Sequence, residues 1–255
     1  MQFENHIGID FSGAATPRTR SATIQTYESC QSDSPRCVAS PASTDNRKRN
    51  WNRLELFDWM VNQFEQTGPI IIGIDHGLSF PISYFNRHQL DSWDEFLEDF
   101  AIHWPTDHPE ATVEQFRTTS NRTGTGDELR ITEKWTSSAK SVFQFDVQGS
   151  VAKSTHAGLP FAYYLRNSVP KVHFWPYDGW EIPPSTSVLT EIYPSIFRHR
   201  FPRKSRTVDQ QDAYSVSRWL YEMDQSEHLQ RFFKPPIDLP TKRTAAKEGW
   251  ILGVY

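Results

Sequence analysis

Two apolar runs along this chain end in the same way. Residues 6–15, HIGIDFSGAA, close on Asp10 and a Ser-Gly turn, and residues 70–81, IIIGIDHGLSFP, close on Asp75. Residues 6–11 read as a strand. In RSATIQTYES, residues 20–29, Ala22, Ile24 and Thr26 alternate with Thr23, Gln25 and Tyr27, the period of a half-buried strand that the turn at 12–19 returns to pair with the first. Between Asn50 and Gln66, Trp51, Leu54, Phe57, Val61 and Phe64 recur at helical spacing, and Gly68-Pro69 supplies a stop. Ile70–Ile74 is a β-branched run, the pattern of a strand buried on both faces of a mostly parallel sheet. The order is strand, strand, room for a third in the polar segment 28–50, helix, strand.

After Pro81 the pattern changes. The stretch 82–186 holds Trp93, Trp104, Trp135, Trp175 and Trp180, too much apolar surface to stay unfolded. Residues 90–104 and 158–168 read as helices in it. Residues 188–197, VLTEIYPSIF, return to strand, 207–223 to helix, and EGWILGVY closes the chain in a strand-like run. The expected architecture is an α/β core, residues 1–81 and 187–255, with an inserted subdomain over 82–186. No fixed-period repeat is visible.

Composition narrows the class. The chain has 255 residues, 37% hydrophobic and 14% aromatic, enough for a real core. It has no stretch of 18 apolar residues and no basic-then-apolar leader, so a soluble cytoplasmic protein without membrane contact is expected. Cys30 and Cys37 are too few for a disulfide framework or a four-cysteine zinc site and read as free thiols. The net charge of −4 argues mildly against a nucleic-acid partner. Locally, FRHRFPRKSR (197–206) and NRKRNWNR (46–53) are strongly basic, although charge runs are commonly solvated loops.

The acids carry the candidate chemistry. Asp10 and Asp75 end strands whose carboxyl ends lie side by side in a parallel sheet and face one crevice. Asp212 shares a helix stripe with Val216, Trp219 and Met223, with Asp209 one turn earlier, and Glu191 sits in an apolar strand between Leu189 and Tyr193. Unpaired carboxylates in such places are costly, so four of them call for a cation. Mg²⁺ or Mn²⁺ suits oxygen donors, and two ions about 4 Å apart can activate a water and stabilise the leaving oxygen of a phosphodiester. Plainer readings stay open: Asp10 and Asp75 as turn caps, Asp209 as a first-turn helix acid, Glu191 and Asp212 as partners of an arginine from 198–206. GSVAKST (149–155) lacks the glycines of a phosphate-binding P-loop, with Val147 and Ala152 in their places, but Gln148, Lys153 and neighbouring His156 are polar. His76 follows Asp75 and is a candidate proton shuttle. Arg117, Arg122 and Arg130 are candidate phosphate clamps. No G-x-S-x-G elbow is present.

Strand with Asp, hairpin, helix, strand with a second acid, and late helix with a final acid is similar to the ribonuclease H-like fold of nucleases, integrases and resolvases. IGIDFSGA, IGIDHGLSFP, SVFQFDVQGSVAKSTHAGLPFAYYLR, VHFWPYDGW, EIYPSIF, DAYSVS and EGWILG resemble successive blocks of a family of unknown function described as predicted ribonuclease H-like nucleases. The resemblance spans residues 7–253. It implies a ribonuclease H-like mixed sheet flanked by helices, with Asp10, Asp75, Glu191 and Asp212 in the acidic positions. The expected activity is Mg²⁺- or Mn²⁺-dependent hydrolysis of nucleic-acid phosphodiesters. Asp10 bridges two ions, Asp75 and Asp212 each complete one site, and Glu191 is an outer ligand or base. Ser12, His76, Gln148, Lys153, Arg198, Arg200, Arg203 and Lys204 are the expected substrate contacts. An ATP-dependent phosphotransferase of the actin-like or sugar-kinase type and a non-catalytic nucleic-acid or protein binding module are the alternatives.

Overall fold

The computed structural model describes residues 1–30, 34–42, 50–66, 68–136 and 138–255. Its six strands are β1 (Asn5–Asp10), β2 (Gln25–Cys30), β3 (Arg36–Cys37), β4 (Ile70–Asp75), β5 (His173–Trp175) and β6 (Val188–Glu191). They form one mixed sheet in the order β3-β2-β1-β4-β6-β5. β1, β4, β6 and β5 are mutually parallel, and β2 is antiparallel to β1 and β3. The fold is thus α/β, with helices on both faces. β3 is the third strand expected in 28–50, and residues 31–33 and 43–49, which include 46–49 of the second basic run, lie outside the described residues.

One face carries α1 (Arg53–Gln66), α3 (Trp93–His103) and α6 (Ala152–Ser168). Ile7, Ile9, Ile72, Ile74 and Leu189 bury against them, together with Phe57, Phe96 and Phe161. The other face carries α7 (Val208–Gln225), whose Val216, Trp219 and Leu220 pack on Ile71, Val188 and Ile192 beside Trp250 and Leu252. The apolar run of β4 therefore feeds both cores, as a doubly covered strand should.

Glycines decide how closely α7 approaches. Gly8 and Gly73 are register partners on β1 and β4. A Cβ on Gly8 would lie 2.3 Å from the Ala213 carbonyl oxygen, and one on Gly73 would lie 3.0 Å from Val216 Cγ1. The two glycines open a trough into which the helix backbone settles. Ser217 Oγ reaches the His6 carbonyl at 2.9 Å and Ser29 Oγ at 2.9 Å, which ties the helix to β1 and β2. Side chains alternate along a strand, so Asp10 and Asp75, two residues beyond the glycines, face the same helix.

Several elements differ from the sequence expectation. β6 stops at Glu191, and Pro194 starts a short 3-10 turn where 188–197 read as one strand. The closing EGWILGVY is not a strand. α9 (Leu239–Glu248) runs into it, Gly249 and Gly253 take positive φ, and a single bridge pairs Leu252 with Ile192. Residues 21–24 form a turn, leaving β2 shorter than 20–29. α6 starts six residues before the expected 158, and Pro160 lies inside it. A proline leaves the carbonyl four residues back without its helical donor. That carbonyl belongs to His156, and the Thr106 hydroxyl donates to it at 2.7 Å.

The segment 82–186 does not stand apart from the sheet. It contributes edge strand β5, and α6 packs on α1 with Phe161 stacked on Phe57 at 4.5 Å. The remaining helices, α2 (Ile82–His88), α4 (Val113–Arg117), α5 (Ile131–Lys134) and α8 (Leu229–Phe233), are short. No helix among the described residues is long and apolar enough to cross a membrane.

Replacing Gly8 with Ala is expected to destabilise the fold by about 2–3 kcal/mol, the scale of overpacking against rigid backbone, read as a lower urea midpoint. A variant of unchanged midpoint would show that α7 has room to move.

Candidate functional site

Asp10 and Asp75 are opposite each other in the β1–β4 register, at the carboxyl ends of both strands. α7 runs back across the sheet from the trough, which brings its first turns over these ends. Asp212 is 8% exposed, and a side-chain hydrogen bond links Asp209 to Asp10. The Thr207 side chain caps α7 through the Gln210 N–H, fixing where this turn begins.

Charge is poorly balanced here. Burial first, then the carboxylates of Asp75, Asp209 and Asp212, pushes the Asp10 carboxyl well above the ordinary range, against a smaller opposing pull from Arg198. Asp75 is raised too, by burial and then by Asp212 and Glu191. Asp212 is raised by burial despite Arg198, whose Nη1 lies 3.1 Å from its Oδ2. The plainer reading of Asp212 as the ion-pair partner of a 198–206 arginine thus has a geometric counterpart, while Asp10 and Asp75 lack any such partner among the described residues.

Glu191 faces elsewhere. It lies on the Leu189 side of β6, and Arg130 meets it with both terminal nitrogens at 2.6 and 2.5 Å. Arg130 is 1% exposed and also bonds Glu133 through Nε at 2.8 Å. Glu191 Oε2 accepts the Leu78 N–H at 3.2 Å. Arg130, considered as a phosphate clamp, is a buried counter-ion. A cavity of about 20 Å³, room for about one water, lies between this pair and Asp75.

No protein-family model, curated protein or solved structure matches this chain. The chemistry must be read from the site itself.

Among the described residues no three His, Cys, Asp or Glu side chains already enclose a common point as a metal cage. A hard divalent ion does not need one. Mg²⁺ takes one or two carboxylates and completes its shell with waters and substrate oxygens. An all-oxygen donor set of crowded carboxyls, their pKa values raised by burial and by one another's charge, fits such an ion.

The expected substrate contacts divide. Ser12 lies in the loop after Asp10, and Gly13 of that loop packs on the first turn of α6, where a Cβ would be 2.0 Å from the Lys153 carbonyl oxygen. GSVAKST thus opens a helix beside the crevice, a neighbourhood no spacing rule reveals. Lys153 pairs with Glu114 at 2.5 Å, and Gln148 is exposed. The His76 ring is buried against Phe11 and the α6 backbone at Gly158, with Nε2 enclosed. Burial lowers its pKa to about 4, so it is neutral at pH 7 and has no nitrogen open to the crevice. Arg117 pairs with Asp146 and Arg122 with Asp99. In the basic run, the Gln211 amide holds the carbonyls of Arg198 and Phe201, and Arg206 stacks on Tyr214 at 3.5 Å. Arg200, Arg203 and Lys204 stay exposed, without acidic partners among the described residues. Arg198, His199, Phe201, Arg203, Val208 and Asp212 line a groove of about 500 Å³ that reaches the carboxylate cluster at Asp212. A groove of about 890 Å³, lined by Pro69, Val172 and Ser187 among others, opens at the opposite strand ends.

The carboxyl pair leaves a signature in stability. A carboxyl whose folded pKa is raised binds its proton more tightly in the folded chain. Its contribution is complete below about pH 4 and is lost as pH rises through the raised folded value. Asp75→Asn is therefore expected to raise metal-free stability at pH 7 by about 1 kcal/mol or more, with the gain shrinking toward pH 4 in thermal melts. An equal or lower melting temperature at pH 7 would mean that Asp75 is relieved by a partner. Arg130→Met, which strands Glu191 and Glu133, should cost about 3–5 kcal/mol by the same assay.

Proposed function

We propose that this protein is a metal-dependent phosphodiesterase acting on nucleic acid, built on a ribonuclease H-like version of the α/β fold. The observation that carries this reading is the alignment of Asp10 with Asp75 at adjacent parallel strand ends, under Asp209 and Asp212 of α7, where burial and then mutual repulsion raise their pKa values. Catalytic sites concentrate such unfavourable electrostatics. The order of elements, hairpin strand with Asp10, helix, strand with Asp75 and late acidic helix, supports the fold assignment.

Asp10, Asp75 and Asp212 would hold Mg²⁺ or Mn²⁺, with Asp209 beside Asp10. Bound there, the ions would supply Lewis-acid stabilisation of the phosphoryl oxygens and lower the pKa of a water. The chain's own residues do the rest. The trough at Gly8 and Gly73 fixes the distance between α7 and the strand ends, and so the spacing of the carboxylates. Arg198 holds Asp212 in place. Exposed Arg200, Arg203 and Lys204 attract the polyanion, and the groove beside Asp212 receives the strand that leads from the scissile phosphate. The Glu191–Arg130 pair braces β6 and the Leu78 turn behind Asp75, which gives Glu191 a positioning role.

Calorimetric titration with Mn²⁺ should show binding of one or two ions that weakens at least about tenfold in Asp75→Asn, the loss of a charged ligand. Asp10→Asn should abolish cleavage of single- and double-stranded DNA and RNA while preserving the circular dichroism spectrum. Metal-dependent turnover by pure Asp10→Asn protein would overturn the assignment.

A further inference from the structure

Arg53 opens α1 with a side chain 1% exposed. Burial lowers its pKa to about 10, and no carboxylate among the described residues answers its charge. Its nitrogens turn instead to the loop that follows Asp10. Nη1 donates to the Ala14 carbonyl at 2.8 Å and the Ser12 carbonyl at 3.3 Å, and Nη2 donates to the Ala15 carbonyl at 3.0 Å. Three carbonyls within four residues point inward at one guanidinium.

The amides must then point outward. In a trans peptide the carbonyl of one residue and the N–H of the next are antiparallel, and residues 12–16 contain no cis bond. The N–H groups of Gly13, Ala15 and Thr16 are directed away from Arg53, and none finds a hydrogen-bond acceptor among the described residues. Ala14 and Ala15 are exposed and Thr16 is half-buried, so the loop meets solvent at its tip, while Gly13 is buried beside the first turn of α6. Ala15 holds φ 54°, a left-handed value unfavourable for a residue with a Cβ. Such a turn gathers successive N–H groups on one side, as in anion-binding nests.

We propose that residues 12–16 form a phosphate cradle, in which the N–H groups of Gly13, Ala15 and Thr16 hold phosphate oxygens and buried Arg53 supplies the positive field behind them. An uncompensated buried cation, a strained non-glycine residue and three unused amides share one explanation: an anion completes the loop. The assignment of that anion as a substrate phosphate rests on the phosphodiester reading above, since the loop starts two residues after Asp10. The cradle's existence does not.

The test is a titration of the ¹⁵N-labelled full chain with inorganic phosphate at constant ionic strength, followed by amide chemical shifts, in wild type and in Asp10→Asn. The expected result is saturable shifts at Gly13, Ala15 and Thr16 in both proteins, tighter in Asp10→Asn because one adjacent negative charge is gone. Arg53→Lys keeps the charge but loses the fork that holds three carbonyls, and should weaken binding about tenfold. Should Arg53→Lys fail to fold, the wild-type titration still decides. Shifts confined to Arg198–Arg206, or absent from the three amides at saturating phosphate, would overturn the cradle. A cradle that binds phosphate in a chain without nuclease activity would instead overturn the phosphodiesterase reading alone.

Discussion

The structure depends on the close seating of α7 against β1 and β4. Helix backbone can reach sheet backbone only where side chains are missing, and Gly8 and Gly73 remove them at one register position. Dispersion and apolar burial through Val216, Trp219 and Leu220 then hold the helix there. Everything at the strand ends follows from that contact. With a helical rise of about 1.5 Å per residue, a helix pinned at Ala213 and Val216 has its first turns above Asp10 and Asp75 and carries Asp209 and Asp212 to them.

Charge accounting separates structural acids from the others. Arg130 shares its single positive charge between Glu191 and Glu133 in full burial, with Leu78 N–H donating to Glu191 as well, and burial still raises the Glu133 carboxyl. Asp224 is likewise satisfied, by His6 and the N–H groups of Gln2 and Phe3, and its carboxyl is held below the ordinary range. Asp10 and Asp75 move the other way because burial, and after it the charges of neighbouring carboxylates, raises them. The tight α7 contact holds these two crowded against the other carboxylates of the strand ends.

The surroundings are anchored by the same means. Gln211 and Arg206 clip the basic loop to α7, so its exposed cations stand at a fixed distance from the carboxylates. Arg53 holds the loop after Asp10, and that loop rests on the first turn of α6 through Gly13. The segment between β4 and β6 thereby joins the crevice wall as well as the sheet edge.

Periodicity in the sequence determined β1, β4, α1, α3 and α7, because amphipathic and doubly buried patterns are written in local residue order. It also placed Asp10 and Asp75 at strand ends, since each acid directly terminates an apolar run. It placed 158–168 in a helix but missed that the helix starts at Ala152, with Thr106 rescuing the carbonyl that Pro160 strands, and it ran 188–197 together as one strand where a 3-10 turn begins at Pro194. The roles of Arg53 and Arg130 were beyond its reach. An arginine in a helix turn or polar loop reads as surface from sequence alone, and only tertiary structure brings the carbonyls of Ser12, Ala14 and Ala15 around the first and Glu191, 61 residues away, against the second. The sequence by itself determined which residues could be acids at strand ends. The tertiary structure decided which of them keep an unbalanced charge, because electrostatic balance depends on neighbours in space and the chain encodes those only through its packing.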